Sequence, residues 1–272
     1  MSWRALAVIS ACAACGRSDP TPAPTPARTP APRPTLTPTP TRGPAPLTSD
    51  WCTDGYQALA ADDACFVVPP TGVREPRTLL IYLHGVIAPT GHAQSVVQQI
   101  VLRSARAHGV VALVPRGRRG IGPGATKDWW AWPTTASAHE RYAKEMIASW
   151  LAWRDVLAAK TGGPFERTYL AGSSNGAYFV TVLAMRGEIA VDGFGAMSGG
   201  SRGSRTKTSI AATRRPPFYV GYGTKDEANG DPVALGALLG EAGWTHVVRP
   251  HDVGHGARDV YLDEAFAFWS SH

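Results

Sequence analysis

The segment Gly172-Ser173-Ser174-Asn175-Gly176 sets two serines between glycines, straight after the apolar run Tyr169-Leu170-Ala171. A serine hydroxyl is a weak nucleophile until a base within hydrogen-bond reach takes its proton. The usual base is an imidazole, and a carboxylate on its far ring nitrogen fixes the tautomer and stabilises the imidazolium. Small Gly/Ser stretches are mostly plain strand-to-helix turns. Whether this one is a nucleophile turn depends on a histidine and an acid placed elsewhere in the chain.

Eight histidines are present. His92, His108 and His139 fall in or beside helical patterns, His246 lies inside a strand pattern, and His272 ends the chain. His84 directly precedes Gly85 on a loop after an expected strand. His251 and His255 both follow the last strand pattern, and His255 stands between Gly254 and Gly256, which suits an exposed imidazole. We take His255 as the base, with His251 as its rival. Asp226, just beyond an expected strand, is the acid, with Glu227 and Asp252 as alternatives. Asp231 precedes Pro232 and reads as a helix cap. The pair His251-x-x-x-His255 sits on a glycine-bearing loop that does not keep helical geometry, and no further ligand stands near it. Neither a metal nor another cofactor is expected.

Those residues need elements to carry them. From residue 64 onward, short β-rich runs alternate with longer amphipathic stretches, the pattern of an α/β domain with a largely parallel sheet. Strands are expected at 65–68, 79–83, 110–114, 168–171, 193–197, 218–222 and 246–248. Helices are expected at 92–107, 136–159, 177–186, 232–242 and 258–269. Ligands in such sheets bind beyond the carboxyl ends of the strands. The loops holding His84-Gly85, Ser174, Asp226 and His255 all follow expected strands.

Gly172-Ser173-Ser174-Asn175-Gly176 fits G-x-S-x-G, and the chain order serine, acid, histidine follows. On these positions the sequence resembles the α/β-hydrolase family over roughly residues 64–272. It is most similar there to exported esterases of the polyhydroxybutyrate-depolymerase and feruloyl-esterase type. The resemblance implies an α/β-hydrolase fold with helices on both faces of the sheet. It also implies Ser174 as nucleophile, and an oxyanion hole from the backbone amides of Val86 and Asn175. The expected activity is hydrolysis of small or polymeric carboxylic esters through an acyl-enzyme. Two other readings remain: a serine peptidase similar to prolyl oligopeptidases, and a catalytically silent surface-binding protein on the same fold.

Residues 117–128 form a glycine-rich loop, but Lys127 is not preceded by glycine and Pro123 has no amide, so it is not a phosphate loop. The loop leads into Asp128-Trp129-Trp130-Ala131-Trp132-Pro133. Residues at i, i+1 and i+3 do not share one helix face, and Pro133 disfavours helix at Trp132. Trp129, Trp130 and Trp132 are therefore expected on a loop that lines the substrate pocket.

The first fifty residues stand apart from this domain. Met1 to Cys15 pairs Arg4 with a short apolar run and small residues, the pattern of a targeting segment too short to cross a bilayer. Ile9-Ser10-Ala11-Cys12 resembles a bacterial lipobox, which implies lipidation at Cys12, with Cys15 as the second candidate. Residues 16–50 are rich in Pro and Thr and read as an extended linker. Export and a lipid-anchored location at the bacterial cell envelope are expected, with plain secretion as the alternative, and residues 51–272 are the folded domain. An oxidising compartment makes Cys52 and Cys65 a disulfide pair. Five of 27 basic and two of 21 acidic residues precede Trp51, which leaves 22 against 19 in the domain. That balance, with no basic cluster among aromatics, gives no sign of nucleic-acid binding.

Overall fold

The computed structural model describes residues 51–60, 63–70, 77–200 and 210–272. Cys12, Cys15 and the expected signal and linker lie outside the described residues. Among the described residues, eight strands form one sheet: β1 (Gln57–Leu59), β2 (Ala64–Val67), β3 (Thr78–Leu83), β4 (Val111–Pro115), β5 (Arg167–Ser173), β6 (Gly193–Met197), β7 (Phe218–Gly223) and β8 (His246–His251). Their order across the sheet is β1-β2-β4-β3-β5-β6-β7-β8. β1 and β2 pair antiparallel, as do β2 and β4, and every pairing from β4 to β8 is parallel.

Five α-helices among the described residues cover the sheet: α1 (Ala93–His108), α2 (Ala136–Lys160), α3 (Asn175–Arg186), α4 (Gly230–Glu241) and α5 (Asp259–Ser270). Successive strand residues point to opposite faces. Leu79, Ile81 and Leu83 of β3 therefore join a core with α2, α3 and α4, while Leu80 and Tyr82 join a second core with α1 and α5. A strand buried on both sides must be apolar throughout, which is why "LLIYL" shows no alternation. Each fully buried Leu or Ile here stabilises the fold by about 1.5–3 kcal/mol relative to exposure.

Local signals set the helix ends. Gly109 and Gly187 end α1 and α3 in the left-handed conformation, and the Thr135 hydroxyl accepts from the Ala138 amide to cap α2. The expected Cys52–Cys65 disulfide is present and ties the segment before β1 to β2. β1, which has three residues and no apolar alternation, is the strand that sequence periodicity does not signal.

Parallel pairing brings the carboxyl ends of β3, β5, β6, β7 and β8 to one edge of the sheet. Two differences from the sequence expectation bear on what stands there. β5 runs on to Ser173, and α3 begins at Asn175 rather than 177. Ser174 alone is left to make the turn.

Candidate active site

A one-residue turn from strand to helix needs an unusual backbone. Ser174 has φ 51° and ψ −121°, a positive φ that a residue with a Cβ adopts only under constraint. The constraint comes from its neighbours. The Ser174 amide donates to the Met197 carbonyl on β6 at 2.9 Å. A Cβ at Gly172 would sit 2.9 Å from the Leu83 carbonyl oxygen, and one at Gly176 would sit 2.3 Å from it. Only glycine lets the turn press this closely on the end of β3. A Cβ at Gly85 would lie 3.1 Å from that of Ser174, so the loop after β3 runs right beside the serine. Ser173 is a buried strand residue, whereas the Ser174 hydroxyl faces the histidine loop.

His255 Nε2 lies 2.9 Å from Ser174 Oγ, and His255 Nδ1 lies 2.6 Å from Asp226 Oδ2. The bonding pattern corresponds to an Nδ1–H that donates to the carboxylate, which leaves Nε2 to accept from the serine. Asp226 is nearly enclosed, at 4% side-chain exposure against 48% for His255. Its second oxygen accepts from the Ala228 amide at 2.9 Å. Glycine again permits the approach: a Cβ at Gly223 would fall 2.1 Å from the Val253 carbonyl oxygen, between the acid and histidine loops.

The rival residues are placed elsewhere. His251 Nε2 is 3.2 Å from Glu264 Oε2, on the α5 side of the sheet. Asp252 pairs with Lys225 at 3.0 Å in solvent, and Glu227 is exposed. Among the described residues, His255 is the one histidine within hydrogen-bond distance of Ser174 Oγ. No group of three or more described His, Cys, Asp or Glu side chains is arranged to hold a metal ion.

Two backbone amides border the serine. Asn175 opens α3, where amides have no intrahelical partner, and Val86 follows the close-packed Gly85. Neither amide donates to another described residue. The Asn175 side chain braces a neighbouring loop instead. Its Oδ1 accepts from the Trp132 amide at 2.6 Å, and its Nδ2 donates to Thr134 Oγ1 at 3.3 Å. His84 is structural as well. Its Nδ1 bonds the Gly85 carbonyl at 2.5 Å, and its Nε2 accepts from the Gly117 amide at 2.9 Å. Burial pushes its pKa down to about 4, which keeps the ring neutral and fits one nitrogen donating while the other accepts.

A cavity of about 530 Å³ opens on Ser174. Its walls come from Val86, from Ile121 and Pro123 of the glycine-rich loop, and from Tyr178 and Val182 of α3. The Tyr178 hydroxyl donates to the Asp231 carboxylate, so Asp231 does more than open a helix. Tyr178 and Val182 follow Ser174 at helical spacings of four and eight, a signal the sequence does contain.

The expectation for the three tryptophans is corrected here, because none of them lines this cavity. Trp132 is fully buried beside Trp150 and Phe179, and its Nε1 donates to the His84 carbonyl. Trp130 exchanges backbone hydrogen bonds with Ile87 and lies under the Arg116 guanidinium, facing a separate cavity of about 370 Å³. Trp129 is partly exposed on the surface. The segment is a non-helical loop, as Pro133 implied, with isolated bridges at Trp130 and Ala131. The backbone bonds of residues 130 and 131 to Ile87 and Arg118, however, leave the Trp132 ring in the core and the Trp130 ring beside Arg116, neither of them lining the Ser174 cavity.

The sheet order, the helices on both faces and the strand-turn-helix at Ser174 define an α/β-hydrolase fold. The chain is similar in structure to esterase PE8, at 21% identity over 76% of this chain and 96% of that one, with a TM-score of 0.52. It is similar to a carboxylesterase of Bacillus cereus, at 16% identity over 76% and 93%, with a TM-score of 0.55. It is also similar to SOBER1 of Arabidopsis thaliana, at 20% identity over 72% and 98%, with a TM-score of 0.51. No family model and no curated protein matches the sequence. Likeness at these identities carries the fold alone.

Proposed function

We propose that this chain is a serine hydrolase that cleaves carboxylic esters through an acyl-enzyme intermediate. The observation that carries the reading is the unbroken hydrogen-bonded line from Ser174 Oγ through His255 to Asp226. A binding module has no need of that line, nor of the positive φ that presents the serine.

In this reading the substrate carbonyl oxygen points at the amides of Val86 and Asn175. Ser174 Oγ adds to the carbonyl carbon while its proton passes to His255 Nε2, and the two amides meet the charge that builds on oxygen. Asp226 keeps the ring oriented and balances the imidazolium. Collapse of the intermediate breaks the ester C–O bond. The alcohol leaves with the proton from His255, and Ser174 is left acylated. Water then gives a proton to His255 and attacks the acyl carbon, after which Ser174 recovers its proton and the carboxylic acid departs. The apolar walls given by Val86, Ile121, Pro123 and Val182 suit the hydrocarbon part of an acyl or alcohol group.

The same reading places the protein outside the cytoplasm, held to a membrane by lipid on Cys12. The Cys52–Cys65 disulfide supports export. No described helix is long and apolar enough to cross a membrane.

Fluorophosphonate labelling of the full chain tests the enzyme reading, alongside a panel of p-nitrophenyl esters, feruloyl esters, hydroxybutyrate oligomers and peptide amides. The parent and Ser173→Ala should label and turn over esters, and Ser174→Ala should do neither. Labelling that survives in Ser174→Ala removes the assignment.

A further inference from the structure

His255 raises a physical question. Its side chain is half exposed, it stands between two glycines, and Gly254 has open space where a Cβ would be. A Gly-His-Gly loop has wide backbone freedom, so ordering it costs more entropy than ordering other residues. Both ring nitrogens nevertheless sit at hydrogen-bonding distance from partners on two other loops. Among the described residues, those two are the only hydrogen bonds the half-exposed ring makes.

The backbone carbonyls of the loop supply the hold. Ser198 Oγ donates to the Gly256 carbonyl at 2.9 Å. Arg258 donates to the Ala257 carbonyl at 2.8 Å, and to the Gly254 and His255 carbonyls at 3.3 Å each. Four successive carbonyls, 254 to 257, are thereby gripped by two side chains. The Arg258 guanidinium has no carboxylate partner among the described residues. Its donors are given to neutral oxygens, an arrangement a surface ion pair does not explain.

Ser198 is unusual in its own right. It has φ 47°, one of three described non-glycine residues with positive φ, and Ser174 is another. Its amide donates to the Gly221 carbonyl on β7, the strand that leads to Asp226. Met197 before it accepts the Ser174 amide, and a Cβ at Gly199 after it would lie 2.7 Å from the Ser174 carbonyl oxygen. Ser198 thus joins the segments that carry the serine, the acid and the histidine. Asn or Gly tolerates this backbone better than Ser does, so the hydroxyl gives a reason for the strained choice.

We propose that Ser198 and Arg258 are positioning residues that hold the His255 loop by its carbonyls, so that the imidazole spans Ser174 and Asp226. The inference rests on His255 acting as the base.

Full-length Ser198→Ala, Ser198→Gly, Arg258→Ala and Arg258→Lys are compared with the parent on p-nitrophenyl butyrate, and the downfield proton resonance of His255 Nδ1–H is recorded for each. Ser198→Gly removes the hydroxyl while relieving the backbone, which keeps a folded variant in hand. Misplaced catalytic groups lose rate steeply, so kcat should fall about tenfold in Ser198→Ala, Ser198→Gly and Arg258→Ala while KM stays within about twofold. The Nδ1–H resonance should broaden or shift in the same variants, and Arg258→Lys should recover part of both. An unchanged kcat and resonance in folded Ser198→Gly and Arg258→Ala overturns the proposal, as does a rise in KM alone. If the parent hydrolyses no ester, the reading of the function fails. The resonance then still decides whether these two side chains hold the ring.

Discussion

The indole Nε1 of Trp132 donates to the carbonyl of His84 at 2.6 Å, inside a core that excludes water from both. Together with the bond from the Trp132 amide to Asn175, it ties the loop after β4 to the loop that carries the Val86 amide and to the first residue of α3. A tryptophan with this role should affect all substrates alike. Trp132→Ala is expected to cost about 3–5 kcal/mol of stability by the size of the side chain removed. Trp132→Phe should fold and lower kcat/KM on acetate and octanoate esters by a similar factor. A loss confined to bulky esters in the Phe variant would return the ring to the substrate pocket.

His84 provides a pH signature. Its pKa is about 4 in the fold against 6.5 in an open chain, because burial disfavours the charged ring. Above pH 6.5 the ring is neutral in both states and contributes no pH dependence. Between 6.5 and 4 the unfolded chain takes up the proton and the fold does not, so stability falls as pH falls. The loss approaches about 3 kcal/mol and levels off below pH 4. Urea denaturation across this range should show the slope in the parent and lose that component in His84→Gln.

For the two histidines beyond β8, the geometry predicts a sharp contrast. His255→Ala should lower kcat by several orders of magnitude, since base and nucleophile act as one unit. His251→Ala removes a bond to Glu264 on the far side and should keep kcat within about fivefold while reducing thermal stability by about 1 kcal/mol. Kinetics and melting curves on the two variants check both halves. An inactive His251→Ala with an active His255→Ala would exchange their roles.

The cavity walls predict selectivity. Val182 lies two helical turns from Ser174 with its side chain in the cavity lining. Val182→Phe should lower kcat/KM for long p-nitrophenyl esters at least about tenfold while sparing the acetate, the scale of discrimination that filling an apolar pocket gives. Equal effects on both chain lengths would place the acyl group elsewhere.

The disulfide closes a loop with a sequence separation of 13. In the chain-entropy model, a loop of this size stabilises by about 3 kcal/mol. Paired Cys52→Ser and Cys65→Ser substitutions should lower the denaturation midpoint by that scale while leaving activity at the optimum temperature largely intact, because β2 lies three strands along the sheet from β5, which leads to Ser174. A drop well below 1 kcal/mol would mean the open chain already holds this segment close.

Much of this arrangement could be read from the residues. Gly172 and Gly176 frame Ser174 in the sequence for the reason found in space: there is no room for a Cβ at either. β3 through β7 were legible because two-sided burial makes their strands largely apolar runs, and β8, an edge strand of intermediate burial, showed only its Val247-Val248 pair. What stayed hidden was set by pairings far apart in sequence. The direction of the Trp130 and Trp132 rings depends on backbone bonds to Ile87 and Arg118, which no local pattern encodes. The cavity wall at Ile121 and Pro123 belongs to a loop that could be excluded as a phosphate cradle, yet nothing local signalled what it covers. Ser198 carries no motif, since its positive φ and its bond to Gly256 come from strands that meet only in the fold.

β8 ends the sheet opposite β1, with Arg249 and Pro250 exposed on it. A bare parallel edge invites another chain to add a strand, and the risk grows when copies crowd together. Proline has no N–H to give such a strand, and the arginine beside it resists burial in a shared sheet. β1 limits the opposite end by its three residues. Both margins are thus poor templates for the growth of a shared sheet.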